Sequence, residues 1–251
     1  MSDTVKRFSD RVENYVKYRP GYPAQILDVF RAEMDLDENS VVADIGSGTG
    51  ISARLFLENG NPVYGVEPNA EMRRAAEDLL RDFPKFVSVD GTAENTTLET
   101  ASVDFVTAAQ AFHWFDPERT RAEFRRILRP GGFVALMWNE RLLDANDFLR
   151  EYENFIIRYG RDYQQVRHDN IDVEKLNNFF RSDFSQRSFP NVQRLDFEGL
   201  RGRMLSSSYM PTESDERFER MILELKSLFD KYAENGKIEI LYDTNIFYTQ
   251  F

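Results

Sequence analysis

Three groups of residues in this chain have types and spacings suited to chemistry. Gly46-Ser47-Gly48-Thr49-Gly50 stands directly after Val41-Val42-Ala43-Asp44-Ile45, and Glu67 directly after Pro62-Val63-Tyr64-Gly65-Val66. Glycines at alternate positions allow positive φ and let a ligand lie on backbone beside a helix start. A carboxylate at the tip of the next strand suits two ribose hydroxyls, since it can accept from both, and it would repel a ribose 2′-phosphate. The second group is Gln110-Ala111-Phe112-His113-Trp114-Phe115, which crowds amide, aromatic and titratable side chains into six residues, as a substrate pocket needs. The third is spread out: Tyr15, Tyr18, Arg19 and Tyr22 near the start, and Arg141, Arg201 and Arg203 in the second half. A planar guanidinium is well shaped to hold a carboxylate.

The elements that must position these groups follow from periodicity. Residues 41–45 form a short apolar, β-branched run bounded by Ser40 and the glycines, which predicts a buried parallel strand. Ile51, Leu55 and Phe56 recur at helical spacing until Gly60, so strand, glycine turn and helix follow one another as in a nucleotide-binding βα unit. Residues 62–66 are a second strand. Asn69 is a helix N-cap with Glu71 in the first turn, before Met72, Ala75, Ala76, Leu79 and Leu80. A third strand at 86–89 leads to Asp90-Gly91-Thr92-Ala93-Glu94 at its C-terminal end, where open α/β sheets bind ligands. A fourth strand at 103–108 runs into Gln110–Phe115, and Asp116-Pro117-Glu118 starts a helix. Gln110–Phe115 must therefore be a short loop over the same sheet edge. That helix stops at 129–132, a fifth strand spans 133–138, and Asn139-Glu140-Arg141 reaches the same rim.

Before the first strand, Pro20 and Pro23 end a helix begun at Ser9 and start another carrying Ile26, Leu27 and Phe30. Beyond the fifth strand, Phe148 to Tyr159 and Val173 to Phe179 give two helices, the latter capped by Asp172. Neither is followed by a glycine loop, so they read as a cap inserted before the remaining sheet. A strand at 192–197, a long helix carrying Phe218 to Phe229, and short strands at 238–240 and 245–249 complete the chain.

A dinucleotide fingerprint would place its third glycine at position 51, which is Ile; this speaks against an NAD-dependent oxidoreductase. Asp44-Ile45-Gly46-Ser47-Gly48-Thr49-Gly50 with Glu67 resembles the first two motifs of class I S-adenosylmethionine (SAM)-dependent methyltransferases. Gln110-Ala111-Phe112-His113-Trp114-Phe115, the Leu-Arg-Pro-Gly-Gly before the fifth strand, and the Tyr and Arg-Pro-x-Tyr-Pro front end resemble the small-molecule, methyltransferase type 11-like branch that includes trans-aconitate methyltransferase. The resemblance implies a Rossmann-like α/β fold: a seven-stranded, mostly parallel sheet with one antiparallel strand, helices on both faces, and a helical cap. It further implies one SAM-dependent methyltransferase domain over 1–251, with 1–30 as N-terminal lid helices and about 140–190 as the substrate-cap insertion.

Carried onto this sequence, the cofactor-binding residues are Asp44, Gly46, Ser47, Gly48, Gly50, Glu67, Met72, Thr92, Ala93, Glu94, Gln110, Tyr18 and Arg19, with Arg19 on the cofactor carboxylate. Thr92-Ala93 stands where the family usually has Asp-Ala, which leaves the adenine contact open among Thr92, Ala93 and Glu94. Tyr15, Tyr22, His113, Trp114, Arg141 and Arg203 are the substrate candidates, and His113 and Gln110 the catalytic ones. SAM is the expected methyl donor and S-adenosylhomocysteine the product. Three readings remain: methylation of a small organic acid on its carboxylate, methylation of a phenol-like, quinone-like or carbon acceptor with His113 as general base, and a non-catalytic SAM-binding module.

Composition bounds the partners. In 251 residues the net charge is −11, which argues against nucleic acid, since phosphate binding needs concentrated Lys and Arg. Cysteine is absent and there are two histidines, so no thiolate or multi-histidine metal site is expected. The first residues are polar and no apolar run approaches the roughly 18 residues of a spanning helix; a cytoplasmic chain without a membrane anchor, acting on a small-molecule methyl acceptor as monomer or homodimer, is expected.

Overall fold

The computed structural model describes residues 12–161, 163 and 173–251. Ser9, His168 and the expected cap Asp172 lie outside them. Among the described residues the elements run α1 (Val12–Tyr18), α2 (Ile26–Met34), β1 (Val42–Ile45), α3 (Ile51–Glu58), β2 (Val63–Val66), α4 (Ala70–Leu79), β3 (Phe86–Val89) and β4 (Val103–Ala109). A 3₁₀ turn (Phe112–Trp114), α5 (Pro117–Ile127), β5 (Leu128–Arg141), α6 (Asp147–Tyr159) and α7 (Val173–Phe180) follow. The chain ends through β6 (Ser185–Leu195), α8 (Phe197–Leu205), α9 (Phe218–Tyr232) and β7 (Ile238–Gln250).

The seven strands are ordered β3-β2-β1-β4-β5-β7-β6. The pairs β1–β2, β1–β4, β2–β3 and β4–β5 are parallel. β7 runs antiparallel to β5: Thr244 Oγ1 donates to Asn139 Oδ1 at one end, and the Phe251 amide to the Gly132 carbonyl at the other. Strand order reverses beside β1, which is where such sheets bind their ligands.

The chain divides into two compact units. A sheet unit holds Gly21–Asn139, Asn170–Phe189 and Thr244–Phe251; a helical unit holds the residues up to Pro20, Glu140–Asp169 and Pro190–Asp243. The span expected as a cap, 140–190, is thus divided between the two.

In the sheet unit the two-residue period of the strands sorts their side chains onto opposite faces. Ala43, Ile45, Val106, Leu136 and Trp138 pack with Phe124, Ile127 and Phe179 on one face; Val42, Phe105, Ala135 and Met137 pack with Phe30 and Phe56 on the other. The helical unit has its own core of Leu149, Ile156, Leu200, Met221, Leu225 and Ile240. No helix among the described residues is long and apolar enough to cross a membrane.

Several boundaries differ from expectation. β5 begins at Leu128 rather than 133 and takes in the Arg-Pro-Gly-Gly expected to end the helix. Gly131 at φ +86° and a register shift between Val103 and Phe105 absorb the irregularity. The strand expected at 192–197 is β6, ending at Leu195, because Asp196 Oδ1 accepts the Gly199 amide at 2.8 Å and caps α8. The two short strands expected near the end are one strand, β7, held extended through Tyr242-Asp243-Thr244 by pairing along β5.

Candidate functional site

The glycine turn is built by contacts that each do a separate job. The amides of Gly46 and Ser47 both donate to the Val66 carbonyl, at 2.8 and 3.2 Å, which fastens the loop to the end of β2. All three glycines have positive φ: +68°, +55° and +83°. A Cβ on Gly46 would lie 2.7 Å from Ala111 Cβ, and one on Gly50 2.5 Å from Leu80 Cδ1, so these positions are closed by the protein itself. A Cβ on Gly48 would meet nothing within 4 Å. Gly48 therefore borders open space and is where a ligand can lie on backbone. Helix α3 starts at Gly50 with no side-chain cap, which leaves first-turn amides for a ligand, and the buried Thr49 hydroxyl has no protein partner.

Glu67 closes the other side of that space. One carboxylate oxygen accepts the Gly48 amide at 3.1 Å and the other the Asn69 amide at 2.9 Å. Burial pushes its pKa up, with the two amide hydrogen bonds and Arg73 opposing. A carboxylate offers about four acceptor positions, so two remain for hydroxyl donors. Asn69 in turn caps α4 by accepting from Glu71 and Met72 at 2.9 and 3.1 Å. Met72 is buried at 4% exposure.

Asp44 takes a different position from its expected companions. It is fully buried, accepting from Ser52 Oγ at 2.6 Å and Thr107 Oγ1 at 3.0 Å. Burial raises its pKa to about 6. It ties β1 to α3 and β4 behind the loop, a supporting role that its sequence position did not reveal.

The loop after β3 is held in the same indirect way. Thr92 and Asn95 exchange backbone hydrogen bonds at 3.0 and 3.2 Å. Glu123 on α5 accepts from the Thr96 amide and hydroxyl at 2.8 and 2.6 Å and pairs with Arg126 at 2.7 Å. These contacts hold the Glu123 carboxyl down at about 2, with Arg126 the leading cause. Of the three adenine candidates, Thr92 is exposed, Ala93 is buried, and Glu94 is half-buried and accepts the Asp116 amide at 3.0 Å.

At the mouth of β4, Gln110 adopts φ +57°, a left-handed conformation that costs a non-glycine residue of order 1 kcal/mol or more. Its amide donates to Met137 O and its Nε2 to Asn139 O, both at 2.9 Å. His113 is half-buried with its ring 4.6 Å from that of Trp114, which is 41% exposed. Phe112 points inward onto Phe179 at 4.7 Å, so it is core rather than pocket. Tyr22 is half-buried against the α2 side of the sheet core.

The remaining candidates belong to the helical unit. Arg19 is half-buried, lies over the Tyr15 ring at 4.8 Å and donates to the Ser206 carbonyl at 3.1 Å. Tyr18 packs where a Cβ on Gly202 would come within 2.0 Å of its ring, so Gly202 is needed for the close approach of α1 and α8. Arg141 pairs with Glu153 and donates to Tyr163 Oη at 3.1 Å. Arg203 donates to Tyr242 Oη and Ser207 Oγ, both at 3.3 Å. Arg141 and Arg203 line one small cleft together with Tyr152, Ser207 and Tyr209.

The sheet unit thus brings Gly46, Ser47, Gly48, Gly50 and Glu67 together at the ends of β1 and β2, with open space bordering Gly48. Ser52, Thr107 and Glu123 were missed in sequence. Glu123 alone left a signal there, an acid on the inward stripe of α5 beside Phe124 and Ile127.

Comparison with known proteins agrees with this geometry. Residues 43–136 match the family model for a methyltransferase domain. Over 97% of its length the chain is 30% identical to an uncharacterized methyltransferase-like protein of Schizosaccharomyces pombe, covering 94% of that protein. It is 38% identical over 66% of its length to an uncharacterized methyltransferase of Mycobacterium tuberculosis, spanning 63% of it. Among solved structures, a protein of Anaeromyxobacter dehalogenans assigned as a type II methyltransferase superposes with a TM-score of 0.63 at 22% identity, over 93% of this chain and 98% of that one. Phosphoethanolamine N-methyltransferase 2 of Haemonchus contortus, in complex with SAM, does so with a TM-score of 0.54 at 17% identity, over 99% and 57%. At these identities the structural likenesses speak for the fold.

Proposed function

The chain belongs to the SAM-dependent methyltransferases, and on that premise we propose that its acceptor is a small organic acid, methylated on a carboxylate oxygen. The observation that carries this reading is the half-buried guanidinium of Arg203, which has no ion pair among the described residues and with Arg141 lines a small aromatic cleft. The front-end resemblance to the trans-aconitate branch supports it.

SAM supplies a methyl group on a sulfonium: the acceptor oxygen bonds to the methyl carbon as the C–S bond breaks, and the bonding pair passes to sulfur. No proton has to be removed from a carboxylate nucleophile, so alignment is the main demand on the protein, which can supply roughly 7 to 11 kcal/mol of the barrier. In this reading Glu67 accepts the two ribose hydroxyls and Gly46, Ser47, Gly48 and Gly50 provide the backbone bed. Met72 and the Thr92, Ala93 and Glu94 loop border the adenine. Gln110, His113, Trp114 and Tyr22 shape the acceptor pocket. Asp44 holds the bed in place from behind.

A second reading is favoured by the position of His113 at the mouth of β4: a hydroxyl or carbon acid whose proton the imidazole takes. Incubation with methyl-labelled SAM and a panel of small acids and phenols separates the two. A base-labile methyl ester formed in step with S-adenosylhomocysteine supports the first; a base-stable methyl ether or C-methyl product overturns it.

A further inference from the structure

The loop that leaves β3 is held at its tip, at its stems and from the neighbouring helix. Thr92 and Asn95 close the tip by exchanging backbone hydrogen bonds. The stems approach so closely that a Cβ on Gly91 would lie 2.7 Å from the Thr96 carbonyl oxygen. Thr97 sits at φ +64°, a left-handed conformation that a β-branched residue keeps only where its surroundings enforce it. The fastening lies on α5. Glu123 and Thr96 are both buried, at 8% and 0% exposure, and Glu123 Oε1 accepts the Thr96 amide at 2.8 Å and its hydroxyl at 2.6 Å. Arg126 holds the same carboxylate with two nitrogens, at 2.7 and 2.8 Å, and reaches on to the Leu98 carbonyl at 2.8 Å and Thr100 Oγ1 at 3.2 Å. At the start of the same helix the Asp116 amide donates to Glu94 at 3.0 Å, so α5 ties the loop down at two points. All of these groups lie in the sheet unit.

A buried ion pair is often no better for stability than apolar side chains of the same volume, whereas its two-pronged geometry fixes the position of whatever it holds. We infer that Glu123, oriented by Arg126, is a positioning residue for the cofactor's base: by fixing the 90–98 loop it makes the site select adenine over a purine with a carbonyl in place of the 6-amino group. A fixed loop presents donors and acceptors that suit one edge pattern, and a base with the wrong pattern leaves buried polar groups unpaired. A loop free to shift would pair with either base and discriminate less. This inference rests on the reading that the adenine borders Thr92, Ala93 and Glu94.

The test uses the full chain and three ligands: S-adenosylhomocysteine, S-inosylhomocysteine and 2-azido-S-adenosylhomocysteine. By calorimetry the wild type binds S-adenosylhomocysteine roughly tenfold or more tighter than S-inosylhomocysteine. Glu123→Ala loses most of its affinity for the first and little for the second, so the ratio falls toward one. Glu123→Gln, which keeps an acceptor for the Thr96 amide, recovers part of the ratio. Thr96→Val removes only the hydroxyl donor at constant shape; it narrows the ratio less, and it carries the test should the Glu123 variants not fold.

A merely structural Glu123 would lower both affinities, or the melting temperature, and leave the ratio as it is in wild type; that result overturns the inference. So does a wild-type ratio near one. Photolabelling of the wild type with the 2-azido analogue, mapped by mass spectrometry, keeps this failure distinct from a misplaced adenine. Label within 90–98 supports the placement, so that an unchanged ratio counts against Glu123 alone. Label confined to other segments removes the placement, and the inference with it.

Discussion

The amide of Gly48 donates to the carboxylate of Glu67 across 3.1 Å, although the two residues are 19 positions apart. The glycine turn after β1 and the acid after β2 are therefore one device. Glu67 fixes the loop whose open face lies at Gly48 and keeps acceptor capacity for a ribose.

Gly48 and Gly46 should respond differently to the same substitution. An L side chain at either positive φ costs roughly 1 to 2 kcal/mol. In Gly46→Ala the new Cβ also meets Ala111 Cβ at 2.7 Å, whereas in Gly48→Ala it meets nothing. Thermal melts should thus rank Gly48→Ala above Gly46→Ala in stability, while calorimetry shows Gly48→Ala to have lost affinity for S-adenosylhomocysteine. A Gly48→Ala variant that binds like wild type would move the ligand off this face.

Asp44 and Glu123 should give stability opposite pH dependences. Burial raises Asp44 from 3.8 to about 6, so in that window the folded chain keeps a proton that the unfolded chain has released. Stability then falls as pH rises through the window. Glu123 is lowered from 4.5 to about 2, chiefly by Arg126; its stabilisation is present above pH 4.5 and is lost as pH falls toward 2. Melting curves should show Asp44→Asn gaining on wild type between about pH 4 and 6, and the Glu123→Gln deficit shrinking on acidification. Profiles parallel to wild type in both variants would contradict these assignments.

How much of this was legible in sequence depended on range. The strand, glycine turn, helix and Glu67 are local features, and so are the Asn69 and Asp116 caps, which the structure shows accepting from the expected amides. The supports of the site are not local. Thr107 reaches Asp44 across 63 positions and Glu123 reaches Thr96 across 27, and only the fold brings such pairs together. Likewise the sequence marked Arg203 as one candidate among several surface-prone arginines; its half-buried place beside Tyr242 and Ser207 is a tertiary fact.

His113 separates the two acceptor classes. For a carboxylate acceptor, His113→Ala should keep measurable turnover, because no base is needed, and should change mainly KM through the pocket shape it shares with Trp114. Steady-state rates with the acid identified from the panel would show this. Activity abolished in a folded His113→Ala chain that still binds S-adenosylhomocysteine would make the imidazole a general base.

The most direct measurement is calorimetric titration of S-adenosylhomocysteine into wild type and Glu67→Ala, with melting curves confirming that the variant is folded. Hydrogen bonds from the ribose to a charged acceptor are worth about 1.5 to 3 kcal/mol, so affinity should fall roughly 10- to 150-fold. Unchanged affinity in a folded Glu67→Ala chain would contradict the placement of the cofactor ribose between Gly48 and Glu67.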